Sequence, residues 1–157
     1  MNNDIKQYIV IRKDVKTVTG EPVSPAKLAV MTAHASMAFL TAMLKENACR
    51  KVYGKGDNGE HPWLISFEMD DEVYEWVQTI FTKILLEAKT MHALERVVEE
   101  AVKIGLEEGK DFFCIRDNCL TELVPDEGSD RCFIAVGFRP MRADRLESVL
   151  KHLQLYQ

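Results

Sequence analysis

Hydrophobic and polar positions along this chain follow two alternating patterns. "QYIVIRK" (7–13) is a short β-branched run between polar residues and predicts a strand. "KILLEA" (83–88), "DFFCIR" (111–116) and "RCFIAVG" (131–137) predict three more. Elsewhere the period lengthens to that of a helix. From Pro25 to about Glu46, apolar residues including Leu28, Met31, Ala35, Phe39 and Met43 recur at three-and-four spacing. Ser24 suits the N-cap, where its hydroxyl takes an orphan amide, and Pro25 suits the first helical position. "DDEVYEWVQTIF" (70–81) predicts a short helix with acidic residues in its first turn. "TMHALERVVEEAVKIG" predicts an amphipathic helix that buries Leu94, Val97, Val98, Ala101 and Ile104 and closes at Gly105. "MRADRLESVLKHLQL" predicts a terminal helix, and "WLISFEM" (63–69) an added strand.

Strands interleaved with helices predict an α/β fold, a three-layer sandwich with helices on both faces of a mixed four-stranded sheet, in one domain over 1–157. The sheet is expected to be mixed because residues 117–130, between the third and fourth strands, show no helical period for a crossover. Structureless connections of this length are often functional, which draws attention to "DNCLTELVPDEGSD".

Composition narrows the function classes. A formal charge of −5 argues against broad, non-specific nucleic-acid binding and leaves room only for a small basic site on an acidic body. Four cysteines without a CxxC pair read as reduced thiols of a cytoplasmic protein. Cys114 and Cys119 lack the neighbouring ligands of a zinc site. "MNNDIKQ" has no apolar run of a secretory signal behind it. The 17 residues from Leu28 to Leu44 fall short of the roughly 20 that span a bilayer core, so a buried helix and no membrane association are expected.

Two residues are odd within that helix. Lys27 places a cation beside the positive helix end, mildly unfavourable unless it joins free helix amides in holding a phosphate. His34 lies seven residues on, about 10 Å along the helix and about 20° around it, so the two share a stripe with Met31 between them. A histidine there is either a satisfied core residue or a functional group. Asp117 ends a predicted strand, where ligand sites often lie, although an aspartate also initiates turns. Thr121 puts a hydroxyl nearby. Spacing alone does not assemble these residues into one site.

Their order does suggest one. "YIVIRKD", "SPAKLAVMTAHAS", Trp76 followed by "KILLEA", "IRDNCLT", "AVGFRP" and "KHLQLY" together resemble the archaeal and eukaryotic type of peptidyl-tRNA hydrolase. The shared elements are R-x-D at Arg12–Asp14, K-x-A-x-x-x-x-H-A at Lys27–Ala35, D-x-x-x-T at Asp117–Thr121, G-x-x-P at Gly137–Pro140 and H-L-x-L at His152–Leu155. The resemblance implies hydrolysis of the ester between a peptide and the terminal ribose of tRNA; the sequence itself offers no cofactor motif and no metal site. It implies His34 and Asp117 as base and orienter, and Thr121 as a hydrogen-bonding partner of substrate or aspartate. Lys27 and Lys83 would meet phosphates or developing negative charge. A homodimer and a peptidyl-tRNA partner held at a local basic site are also implied.

The departures bear on tRNA binding more than on ester chemistry. Ala26 replaces a glycine, Met31 and Thr32 replace Gln-Cys, and residues at about 47–69 have no counterpart, an insertion expected to add an edge strand through "WLISFEM". The D-x-G-R-T loop reads Asp117, Asn118, Cys119, Leu120, Thr121, which loses the glycine and a two-pronged phosphate-binding arginine. Cations at Arg116, Lys55 or Lys16 would restore charge near the site. A non-catalytic interaction module of the same fold, and a hydrolase of a smaller ester or amide, are the alternatives.

Overall fold

The computed structural model describes residues 4–50, 63–79 and 81–157, with only the backbone described at 48–50 and 63–65. In chain order its elements are β1 (Ile5–Arg12), α1 (Pro25–Glu46), β2 (Ala48–Arg50), β3 (Trp63–Ile65), α2 (Asp71–Gln78) and β4 (Lys83–Ala88). They continue with α3 (Met91–Lys103), β5 (Phe112–Asp117), β6 (Cys132–Phe138), β7 (Met141–Arg142), α4 (Ala143–Leu150) and β8 (Gln154–Leu155). The main sheet runs β5-β6-β1-β4-β8, with β7 paired to β1. It is mixed: β4 lies parallel to β1, while β6 is antiparallel to both β1 and β5. β1 and β5 therefore point the same way, and their C-terminal ends share one edge of the molecule.

The alternation of side chains along β1 sorts the core into two layers. Ile9 and Ile11 pack with Met31 and Ala35 of α1 and with Ile134. Val10 points the other way, into a cluster with Leu94 and Val97 of α3, Leu146 and Val149 of α4, and Val136. A third cluster, built on Ile5, Phe39, Val73 and Trp76, seats α2. The result is the expected α/β sandwich with helices on both faces.

α1 approaches the sheet closely. A Cβ on Gly137 of β6 would lie 2.1 Å from the Ala35 carbonyl oxygen, so only glycine admits this helix at this depth. Fully buried Gln7 locks the contact. Its Nε2 donates to the carbonyls of Ser36 (2.7 Å) and Phe138 (3.2 Å), and its Oε1 accepts from Ser36 Oγ (2.9 Å). Every polar atom of that amide side chain finds a partner, as burial requires.

Three expectations change. α1 is buried along one stripe only, through Met31, Ala35 and Phe39, and leaves Val30 and Met37 exposed. Trp63–Ile65 pairs with Ala48–Arg50 in a separate two-stranded sheet and does not extend the main one. Residues 51–62 of the expected insertion lie outside the described residues. The terminal helix stops at Leu150. Leu153 then packs onto the α3–α4 layer, and β8 pairs with β4 through Leu86↔Leu155 and Glu87↔Gln154. The open edge of β4 thus gains a partner that further helix would have denied it.

Candidate active site

The site begins with how α1 is anchored. Ser24 caps the helix as its sequence predicts, its Oγ accepting the Lys27 N–H at 3.2 Å. Glu122 then grips the cap with both carboxylate oxygens: Oε1 accepts the Ser24 N–H and Oε2 accepts the Ser24 hydroxyl, each at 2.8 Å. These two bonds hold the Glu122 carboxyl below its ordinary range. Backbone pairing between the two loops reinforces the grip, with Val18 N–H on Glu122 O and Val124 N–H on Lys16 O. Arg12, at the end of β1, ties the same long loop down by donating to Asp126 (2.6 Å) and to the Phe133 carbonyl (3.0 Å).

This anchoring brings Lys27 to the end of β5. Its ammonium lies 2.7 Å from Asp117 Oδ2 and donates to Thr121 Oγ1 at 3.3 Å. Asp117 Oδ1 accepts the Cys119 N–H at 2.8 Å, closing an Asx turn. Partial burial would raise the Asp117 pKa. The Lys27 and Cys119 hydrogen bonds and the positive charge of Lys27 outweigh it, holding the carboxyl below the usual range.

Lys27, His34, Asp117 and Thr121 all line one open cleft of about 500 Å³ between α1 and β5. Met31, Ile115, Arg116 and Leu120 also line it. Asp117 pairs with Lys27, and not with His34 as a base-and-orienter pair would require. His34 faces the cleft from the exposed side of α1.

A family model for peptidyl-tRNA hydrolase PTH2 matches residues 5–156, from the first strand to beyond the last. The chain belongs to the peptidyl-tRNA hydrolase PTH2 family. Among curated proteins, none matches it.

Set against the PTH2 resemblance, Lys83 is the residue the fold places elsewhere. It opens β4, opposite Gln7 near the start of β1, whereas Asp117 closes β5 at the other end of the sheet. With three strand spacings between them as well, the two are on the order of 20 Å apart. The Lys83 ammonium sits over the rings of Phe81 (3.3 Å) and Trp76 (4.6 Å), and burial lowers its pKa. The phosphate-cradle reading of the α1 terminus also changes. Pro25 has no N–H, the Lys27 amide is capped, and the Glu122 carboxylate already occupies the helix end.

The loop explains the family's glycine. Cys119 takes φ of +56°, left-handed backbone that glycine adopts without strain. Leu120, in place of the family arginine, is 86% exposed. Arg116 lines the cleft, but its guanidinium lies over the Phe133 ring and 3.7 Å from Glu108. Lys55 lies outside the described residues. Sequence reasoning passed over Glu122 altogether. The only signal it offered was its place directly after Thr121.

Proposed function

We infer that this chain hydrolyses the ester between a peptide and tRNA in the cleft where Lys27, Asp117 and Thr121 meet. The observation that carries this reading is the Lys27 ammonium, fixed between Asp117 (2.7 Å) and Thr121 (3.3 Å) at the wall of a cleft that His34 shares. Attack of water on an ester carbonyl places negative charge on its oxygen. A cation positioned beforehand stabilises that charge without reorganising. Thr121 accepts from Lys27 and keeps its own proton free to donate to the same oxygen. Asp117 remains ionised and is a weak proton acceptor, since its pKa is depressed. Its role is to hold Lys27.

His34 takes the water proton, because imidazole is the side chain that exchanges protons near neutral pH. The water oxygen bonds to the carbonyl carbon, the carbon–oxygen bond to ribose breaks, and the imidazolium proton passes to the ribose oxygen. Cations outside the Lys27–Asp117 pair meet the tRNA phosphates, so binding is salt-dependent.

The test is peptide release from an N-acetyl-aminoacyl-tRNA by purified protein. Wild type should release it, and Lys27→Ala and Asp117→Asn should each lower kcat by about 10²–10³-fold. Wild type that neither binds tRNA at low salt nor releases peptide overturns the reading in favour of an interaction module.

A further inference from the structure

Leu120 stands 86% exposed in a loop that is otherwise firmly held. Before it, the Cys119 amide is bonded to Asp117 (2.8 Å). After it, Thr121 receives Lys27 (3.3 Å) and Glu122 is clamped to Ser24 (2.8 Å). The side chain is therefore presented to solvent by a loop fixed on both sides. A single exposed leucine would call for no explanation. This one lines the same cleft as Ile115 and Met31, and it is the immediate neighbour of Thr121.

Substrate geometry makes that position matter. If Lys27 and Thr121 polarise an ester carbonyl, the side chain of the esterified residue begins one carbon away. It must lie among the residues beside them. Of those, Asp117 is engaged by Lys27 and Cys119, and Arg116 is drawn toward Glu108 and Phe133. The apolar surface open beside Thr121 is Leu120, with half-buried Ile115 and buried Met31 in the same cleft wall.

We propose that Leu120, backed by Ile115 and Met31, forms the subsite for the side chain of the residue whose ester is cut. This chain then prefers peptides that end in a large apolar residue. The proposal rests on the hydrolase reading above and adds a substrate class to it. Covering an exposed leucine with another apolar side chain favours the leucyl substrate over the glycyl one by about tenfold.

Two measurements test this with the whole protein. The first compares kcat/KM for N-acetyl-leucyl-tRNA and N-acetyl-glycyl-tRNA. The second compares binding of the corresponding 3′-amides of adenosine, which resist hydrolysis. Both ratios should be about tenfold in wild type and fall to within about threefold in Leu120→Ala. Equal hydrolysis of both esters overturns the subsite and leaves the hydrolase reading intact. A preserved binding ratio with no hydrolysis of either ester supports the subsite and overturns the hydrolase reading. Absence of binding to either amide, or a ratio unmoved by Leu120→Ala, also overturns the subsite.

Discussion

Replacing Gly137 with alanine tests whether the depth of α1 sets both stability and the site. The new Cβ would lie 2.1 Å from the Ala35 carbonyl oxygen and 2.7 Å from its carbon, where ordinary contact begins near 3.4 Å. Both atoms are backbone, so no rotamer change relieves the clash and α1 must retreat by more than about 1 Å. The retreat strains the Gln7–Ser36 pair of hydrogen bonds, at 2.7 and 2.9 Å, on a side chain with no access to water. Overpacking costs about 1–3 kcal/mol, and leaving buried amide groups unpaired costs a similar amount. The sum is about 2–6 kcal/mol. With a urea m-value of about 2 kcal/mol/M, the unfolding midpoint should fall by about 1–3 M. Because α1 carries Lys27 and His34, a 1 Å shift should also slow peptide release by about 10²-fold in protein that remains folded. A midpoint that falls by less than about 0.3 M, with wild-type release, would refute the close approach and its link to the site.

Three further predictions follow from the site. Asp117, held below its ordinary value of 3.8, contributes stability that is present above that pH and is lost as pH falls through its depressed folded value. The stability gap between wild type and Asp117→Asn should therefore be full at pH 7 and close in acid; a gap that widens below pH 3.8 contradicts the sign. Lys83→Ala should leave peptide release within about twofold of wild type, while Lys27→Ala lowers it by about 10²–10³-fold; equal losses would put Lys83 back in the site. Cys119→Gly should change stability by less than about 1 kcal/mol, since relief of left-handed strain offsets lost packing, whereas Cys119→Val should cost more than 1 kcal/mol; chemical denaturation of the two variants checks this.

Much of this fold was legible because local chemistry and tertiary packing agree. Ser24 marks the start of α1 by satisfying an orphan amide and Pro25 by having none to satisfy, and the apolar runs at β1 and β4 form the parallel pair near the centre of the sheet. Collinear motifs also led to Lys27, His34, Asp117 and Thr121, which meet in one cleft. The failures are all tertiary, since sequence order carries neither strand direction nor long-range contacts. Lys83 looked like a companion of Lys27, yet the start of β4 and the end of β5 lie at opposite ends of the sheet. The helical period of "KHLQL" was overridden by the open edge of β4, a tertiary demand with no local signature. Glu122 was invisible because a carboxylate gripping a helix cap from 98 residues away leaves no periodic trace.

Glu122 also bears on what kind of site this is. A helix N-terminus with a lysine in its first turn looks built for phosphate, because free amides and the helix dipole both favour an anion. Here that anion position belongs to the protein itself, with the Glu122 carboxylate 2.8 Å from both the amide and the hydroxyl of Ser24. Pro25 offers no amide, and the Lys27 amide is spent on Ser24 Oγ. The terminus retains one strong electrophile facing the cleft, the Lys27 ammonium, with Asp117 fixing its direction. A phosphate arriving there would displace Asp117 and face Glu122 nearby. A neutral ester carbonyl needs only to approach the ammonium and the Thr121 hydroxyl, and it acquires its negative charge after it is in place. This arrangement suits an oxygen that becomes charged during reaction better than one that arrives charged.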